Sequence, residues 1–455
     1  MQRTTDTIAA IATAAGRSGI GIVRVSGEDA VEIVQKIFDG KLKNAPTHTI
    51  HYGHIKNGTE TVDEVLVMLM KAPHSYTGED TVEINCHGGM LVLDQVLKTV
   101  LKAGANLAEP GEFSKRAFLN GRMDLTRAEA VIDVIEAKNR YALKAGLDQL
   151  SGKLSGEIKN LRKNILREIA YIEAALDDPE HYDLTGYPET LQQKLKPMIS
   201  ETEKLIKSAD NGKIMHEGIK TVILGKPNAG KSSLLNLITG EERAIVTDIA
   251  GTTRDTLTET IMMGGISLNI TDTAGIRESN DIVEKIGVEK AKKAADNADL
   301  ILCMIDGSAE LNEDDRNILK MAEQKKALVL LNKSDLHHRI TREDLEKITD
   351  RKIIEFSAKD GTGLSELEDT IRELFYHGEI DFNDQIYITS ERHRTALLKA
   401  LESLRKTETS IEENMPEDFY TIDLTDAYEY FGSITGETTG DDVINEIFAK
   451  FCMGK

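Results

Sequence analysis

The run Gly225-Lys-Pro-Asn-Ala-Gly230-Lys231-Ser232 constrains this chain more than any other stretch. It fits the pattern G-x-x-x-x-G-K-[ST] and stands between a strand-like run with apolar Ile219, Val222, Ile223 and Leu224 and a helix-like run, Ser233 to Ile238. A strand that feeds a glycine turn and then a helix gives each residue a task. The glycines let successive backbone N–H groups face an anion at the helix N-terminus. Lys231 can set its ammonium against the β- and γ-phosphates of a nucleotide, and Ser232 can offer its hydroxyl to magnesium.

The residues that follow extend this reading. Gly251-Thr252-Thr253-Arg254-Asp255 is a polar segment suited to a switch, where a threonine hydroxyl can reach magnesium when the γ-phosphate is present. The strand-like run Ile266 to Ile270 leads into Asp272-Thr273-Ala274-Gly275. There Asp272 can hold magnesium through water, and the Gly275 N–H can touch the γ-phosphate. Further runs, Leu300 to Ile305 and Ala327 to Leu331, follow, and the second ends in Asn332-Lys333-Ser334-Asp335. The Asp335 carboxylate can accept from N1–H and the 2-amino group of guanine, donors that adenine lacks. The run Lys352 to Phe356 delivers Ser357-Ala358-Lys359, whose backbone can support guanine O6. Strands alternating with helices imply a parallel sheet with ligand loops at its carboxyl edge.

These motifs, in this order and each at a strand end, define a P-loop GTPase domain over residues 219–378. The expected nucleotide contacts are Asn228, Ala229, Gly230, Lys231, Ser232 and Ser233, then Thr247, Asp248, Ile249, Ala250, Gly251, Thr252 and Thr253. Asp272, Thr273, Ala274 and Gly275 follow, and then Asn332, Lys333, Asp335, Ser357, Ala358 and Lys359. One position departs from the Ras-like pattern. Where a glutamine orients the attacking water in that group, this chain has Ile276, which cannot. No spare arginine finger is evident. Asn228 is a neutral oxygen donor inside the phosphate loop and could hold a monovalent cation in the finger's place.

The rest of the chain bounds the setting. Its 455 residues allow two or three domains. A net charge of −21 argues against a molecule-wide nucleic-acid or membrane binder, so RNA contact needs a local basic patch. The set Lys153, Lys159, Arg162, Lys163 and Arg167 is the candidate, against the plainer reading of a solvated helix face. Three scattered cysteines, Cys86, Cys303 and Cys452, form neither a disulfide framework nor a zinc spacing, which suits a reducing cytosol. No basic leader with an apolar core and no run of 18 apolar residues occurs, so a cytoplasmic protein with no membrane span is expected.

Residues 1–120 mix strand-like runs with helices and read as an α/β domain. Their loops, Gly16–Gly19, Pro73–Asp80 and His87-Gly-Gly89, pair glycine with polar groups. His51 and His54 are expected to be solvated on a strand edge, while His74 and His87 lack partners at metal-ligand spacing. From Leu125 an apolar stripe at three-and-four spacing runs to Ile169, with Gly146, Gly152 and Gly156 as expected breaks. Helical sequence also fills residues 379–455. The simplest arrangement is one helical domain, 121–218 plus 379–455, with the GTPase domain inserted into it.

Several stretches resemble the MnmE (TrmE) family of tRNA modification GTPases, and the resemblance covers the whole chain. They are Gly21-Ile-Val-Arg24-Val-Ser-Gly27, Ser75-Tyr-Thr-Gly-Glu-Asp80, His87-Gly-Gly89, Gly111-Glu-Phe-Ser-Lys-Arg-Ala-Phe-Leu-Asn-Gly121, the inserted GTPase motifs and the tail Cys452-Met-Gly-Lys455. The resemblance implies a homodimer whose N-terminal domains bind a 5-formyltetrahydrofolate-type cofactor through Arg24, Glu83 and Arg122, with Lys455 reaching in from the tail. Relatives can have lysine at the third position, so arginine keeps the charge and changes the geometry. It further implies potassium on Asn228, Thr247, Ile249 and Thr252, and Mg2+ on Ser232 and Thr253. Glu284 would orient the attacking water through a bridging water, and the Cys452 thiol would lie near the modification chemistry. With the FAD-containing partner MnmG (GidA), the family installs an aminomethyl-type group at C5 of the wobble uridine, position 34, of certain tRNAs. Two other readings compete: a ribosome-assembly GTPase of the Era or Der kind, and a membrane-linked or stress scaffold. The first lacks the N-terminal domain and the tail, and no basic amphipathic anchor supports the second.

Overall fold

The computed structural model describes residues 6–14, 16–182, 184–240, 258–271, 292–376, 386–451 and 454. The chain divides into two compact units. One holds Met1–Ile135, Gly146–Thr202 and Thr395–Lys455; the other holds Glu136–Ala145 and Glu203–Arg394.

The first unit opens with a six-stranded sheet in the order β3-β4-β5-β2-β1-β6. Its strands are β1 (Ile8–Ile11), β2 (Ser18–Ser26), β3 (Thr49–Asn57), β4 (Glu60–Met70), β5 (Thr81–Gly88) and β6 (Asn106–Leu107). Only β1 and β6 pair in parallel, so hairpins rather than crossovers make most of this sheet. Two-residue alternation decides its faces. Val23, Val25, Val67 and Ile84 turn inward against Ile33 and Val34 of α1 (Ala30–Ile37) and Leu93, Val96 and Val100 of α2 (Met90–Ala103). Each such buried aliphatic contributes about 1.5–3 kcal/mol. The intervening residues, Arg24 on β2 and its cross-strand partner Glu83 on β5, belong to the opposite face.

Several local expectations are corrected here. His87 and Gly88 lie in β5 rather than in a loop, with Gly88 opposite Ser18 where a side chain would collide. His54 is half-buried and its ring meets Asp39 at 2.9 Å, while His51 meets Thr49 Oγ1 at 2.8 Å, so neither is merely solvated. The long apolar stripe becomes α4 (Leu125–Glu136), α5 (Arg140–Ser151) and α6 (Lys153–Asp177). Of the three glycines only Gly152 breaks it, at φ 93; the other break, residues 137–139, contains no glycine. Gly146 stays helical, and a Cβ there would stand 3.0 Å from Val134 Cγ2, so it serves close packing. Gly156 faces open space inside its helix.

The second unit takes in the C-terminal part of α7 (Tyr187–Glu217), and its sheet runs β12-β11-β10-β7-β9-β8. The strands are β7 (Ile219–Gly225), β8 (Thr258–Met263), β9 (Ile266–Thr271), β10 (Leu300–Asp306), β11 (Ala327–Asn332) and β12 (Lys352–Glu355). All neighbours pair in parallel except the edge hairpin β8–β9. The nearly unbroken apolar sequences of β7, β10 and β11 follow from burial on both faces. Helices α8 (Lys231–Thr239), α9 (Glu313–Met321), α10 (Arg342–Glu346) and α11 (Leu364–Tyr376) accompany it. The parallel strands bring Gly225, Thr271, Asp306, Asn332 and Glu355 to one edge.

The chain returns to the first unit in α12 (Glu391–Glu412), α13 (Glu417–Thr435) and α14 (Asp441–Ala449). Helix α6 packs on α13, where the buried Arg162 guanidinium lies 4.1 Å from the Tyr428 ring centre and pairs with Glu437. This removes Arg162 from the expected basic set. Arg162 faces inward, Lys153 pairs with Asp148 at 2.9 Å and Lys159 lies 4.0 Å from Asp124. Lys163 and Arg167 remain exposed. Among the described residues, no helix is long and apolar enough to cross a membrane.

Candidate functional site

At the end of β7 the chain turns through the phosphate loop and enters α8 at Lys231. Two residues of the turn need the left-handed region: Gly230 at φ 105 and Asn228 at φ 62. Asparagine tolerates that conformation better than most side chains. A side chain at Gly230 would strike the Asn332 amide, so this position admits glycine only. The Ala229 N–H closes the turn on the Lys226 carbonyl at 3.2 Å. Ala229 is buried, whereas Asn228, Ser232 and Ser233 are exposed, which leaves the Ser232 hydroxyl free to meet a ligand. Lys231 Nζ donates to Lys226 O at 2.8 Å and to Gly225 O, and burial lowers the pKa of its ammonium. Phosphate oxygens can take over those donated bonds.

The loops after β11 and β12 are tied to this turn by one amide. Buried Asn332 donates through Nδ2 to Ala229 O at 2.7 Å and accepts at Oδ1 from the Ala358 N–H at 2.9 Å. Lys333, at φ 70, sends Nζ to Asp306 Oδ2 at 2.5 Å. Burial raises the Asp306 carboxyl, but hydrogen bonds from Lys333 and Ser308 outweigh it and hold the pKa below the usual carboxylate value. Asp335 accepts from Ser357 Oγ at 3.2 Å and lies 3.6 Å from Lys359 Nζ. Its carboxylate is therefore fixed at the sheet edge with its charge partly balanced. This donor and acceptor set fits a guanine nucleotide.

Thr247, Asp248, Ile249, Ala250, Gly251, Thr252, Thr253, Asp272, Thr273, Ala274, Gly275, Ile276 and Glu284 lie outside the described residues, as do Cys452 and Lys455. Of the expected potassium set only Asn228 is described, and of the magnesium set only Ser232. Among the described residues, no cluster of three or more His, Cys, Asp or Glu side chains could hold a metal ion by itself.

In the other unit, Arg24 Nε donates to Glu83 Oε1 at 2.8 Å, and both side chains are largely buried. The same guanidinium lies 5.5 Å from the Tyr76 ring centre and 5.6 Å from that of Phe113. Its Nη1 donates to the carbonyl of Gly454 at 3.1 Å, so Gly454 is seated at this ion pair. Gly454, at φ 86, sits too close to Ile11 and Ala12 for any side chain. Arg122 donates through Nε to Ser75 O at 3.1 Å, one residue from Tyr76. Arg24, Glu83 and Gly454 thus come together, and Arg122 is anchored on the same loop as Tyr76. The Arg24 guanidinium is held by a carboxylate and a backbone carbonyl, with two aromatic rings beside it.

Sequence reasoning missed Tyr76, Phe113, Asp306 and the strut role of Asn332. Asp306 had a readable signal, since it ends the strand run Leu300 to Ile305. Tyr76 and Phe113 lay inside quoted segments, but nothing local says that their rings flank Arg24.

Comparison with known proteins accords with this geometry. Residues 7–122 match the family described as GTP-binding protein TrmE N-terminus, and residues 125–452 match the MnmE helical domain. The chain is similar to tRNA modification GTPase MnmE of Lachnoclostridium phytofermentans, 55% identical over 99% of this chain and 100% of that one. It is 50% identical to tRNA modification GTPase MnmE of Acetivibrio thermocellus over 99% of each chain. Among solved structures, the G domain of the T. maritima FeoB iron transporter matches 34% of this chain and 97% of its own, at 27% identity and a TM-score of 0.26. With family matches spanning nearly the whole sequence, this chain belongs to the MnmE family of tRNA modification GTPases.

Proposed function

We propose that this chain hydrolyses GTP in the service of tRNA modification, with a potassium-dependent nucleotide site and a separate folate-type site for a one-carbon unit. The observation that carries the reading is the Asn332 strut, which links the phosphate loop, the Asp335 loop and the Ser357–Lys359 loop at one sheet edge. Ser357 Oγ holds the Asp335 carboxylate, which would accept from guanine. Lys231 and the loop N–H groups face the phosphates, and Ser232 with Thr253 would hold magnesium, which neutralises phosphate charge when bound. Asn228, with Thr247, Ile249 and Thr252, would hold potassium, whose charge would substitute for the missing arginine finger. Glu284 would orient water at the position where Ile276 cannot.

Arg24, Glu83 and Arg122, with Lys455 from the tail, would hold a 5-formyltetrahydrofolate-type cofactor, which supplies the one-carbon unit when bound. The hydrogen bond from Arg24 to the Gly454 carbonyl supports that reading, because Gly454 directly precedes Lys455 in the chain. We assign residues 1–120 to the folate-binding and dimerising domain, 121–218 plus 379–455 to the helical domain, and 219–378 to the GTPase domain. The proposed assembly is a cytoplasmic homodimer working with FAD-containing MnmG on the wobble uridine of tRNA.

Two measurements test this. GTP hydrolysis by the full chain should be strongly activated in potassium relative to sodium at equal ionic strength, and Asn228→Ala should abolish the activation. Equal rates in both salts would remove Asn228 from its role. Mass spectrometry of tRNA nucleosides from a strain lacking the protein should show loss of the aminomethyl-type modification at position 34. An unchanged uridine profile would refute the modification role and favour a ribosome-assembly GTPase.

A further inference from the structure

Behind the phosphate loop lies a buried carboxylate that none of the nucleotide motifs includes. Asp315 stands in the first turn of α9, with its side chain 1% exposed. Its own helix immobilises it. The Asp315 N–H donates to Asn312 Oδ1 at 3.2 Å, and the Asn312 N–H donates back to Asp315 Oδ2 at 3.1 Å, a reciprocal cap. The same Oδ2 receives Lys226 Nζ at 2.6 Å. Oδ1 has no hydrogen-bond partner among the described residues, so the charge is compensated through one oxygen. A buried carboxylate in this position depends strongly on its cation.

Lys226 is the second residue of the phosphate loop, and its two ends do different work. The ammonium is fixed by Asp315, while the carbonyl accepts the Ala229 N–H at 3.2 Å and Lys231 Nζ at 2.8 Å. The turn that this carbonyl closes contains Asn228 in its left-handed conformation. A rigid helix cap therefore sets the residue from which the loop's cation and the Asn228 side chain take their positions.

We propose that Asp315 is a positioning residue for GTP hydrolysis, acting through Lys226 to hold the phosphate loop in its nucleotide-ready shape. The inference rests on the GTPase reading above and adds to it a pair that touches neither base nor phosphate. Removing the pin leaves the loop intact in sequence but free to relax, so nucleotide must bear the cost of ordering it.

The test uses the full chain with Asp315→Asn, Lys226→Met, the double variant and Lys226→Arg. Steady-state GTP hydrolysis over a range of GTP is read beside binding of a fluorescent GDP analogue, with thermal melting to confirm folding. Each of the first two single variants should lose about ten- to hundredfold in kcat/KM, chiefly through raised KM and weaker GDP-analogue binding, as loss of a charge-assisted hydrogen bond allows. The double variant should lose no more than the worse single one. Lys226→Arg should restore kcat/KM to within about threefold of wild type, since arginine can also pair with the carboxylate. Additive losses in the double variant would overturn the proposal. So would a fall in kcat that tracks only the unfolded fraction, with KM and analogue affinity unmoved. Wild-type hydrolysis with unaltered Asp315→Asn would remove this inference alone, whereas a wild-type chain that hydrolyses no GTP would remove the GTPase reading and this inference together.

Discussion

The nucleotide loops of one unit are contiguous stretches of chain, each released from the end of a strand. The Arg24 site of the other unit gathers residues 24, 76, 83, 113 and 454 from widely separated segments. The difference follows from what each arrangement recognises. Phosphates are held largely by successive backbone N–H groups at a helix N-terminus, so a short glycine-bearing motif suffices. A guanidinium pinned between two rings, a carboxylate and a tail carbonyl needs the sheet register and the path of the tail before any of it exists. The first kind of site is written locally; the second is assembled by folding.

The comparison is open to direct attack, and the largest expected effect is at Asp335. On the proposed guanine contact, Asp335→Asn keeps one acceptor oxygen and replaces the other with an amide donor that opposes the 2-amino group. GTP affinity should fall about 10²- to 10³-fold, measured by competition with a fluorescent GDP analogue. The new amide can donate to the 2-carbonyl of xanthine, so xanthosine triphosphate should bind better to the variant than to wild type. Unchanged GTP affinity would mean that the base is selected elsewhere.

An intermediate effect is expected at Arg24. Arg24→Met removes the partner of Glu83 and the donor to Gly454 O. Titration calorimetry with 5-formyltetrahydrofolate should show affinity lower by about ten- to hundredfold. GTP hydrolysis should stay within about twofold of wild type, because among the described residues none of the nucleotide loops draws on Arg24, Glu83 or Gly454. A matching fall in both activities would show that the two sites are not separately built.

The smallest effect concerns one thiol in each sheet. Burial, with a smaller contribution from Asp63, pushes the Cys86 thiol up to about 11. Burial pushes Cys303 up to about 12, slightly relieved by Arg351. Both folded values exceed the ordinary value of 9.0, so the stability linked to these thiols is complete below pH 9.0 and is lost as pH rises through the folded values. Iodoacetamide labelling of the native chain at pH 8, mapped by peptide mass spectrometry, should leave both unmodified, and Cys86 should react first as the pH is raised. Rapid labelling of Cys303 at pH 8 would contradict the burial of β10.

Much of the second unit was legible beforehand. The runs Ile219 to Leu224, Leu300 to Ile305 and Ala327 to Leu331 appear as β7, β10 and β11, because strands buried on both faces are largely apolar. The long stripe after Leu125 was legible as helix but not in its divisions. Periodicity reports the buried face and says little about where one helix hands over to the next, and only one of the three glycines ended a helix. The supposed RNA-facing set showed the limit most clearly. A basic residue at helical spacing looks the same in sequence whether it is solvated or, like Arg162, buried against a tyrosine ring.

By itself the sequence determined the phosphate loop, the position of Asp335 after a strand end, the strand-to-loop order around them and the family. These depend on residue type at fixed local spacing, which backbone geometry converts directly into donors and acceptors. Only the tertiary structure decided that Asn332 straps three loops together, that Asp315 pins Lys226 across 89 positions, and that Gly454 closes on Arg24 across 430. Those partners have no spacing to read. A buried charge or amide takes the complementary group that packing brings within reach, and sequence distance has no part in that choice.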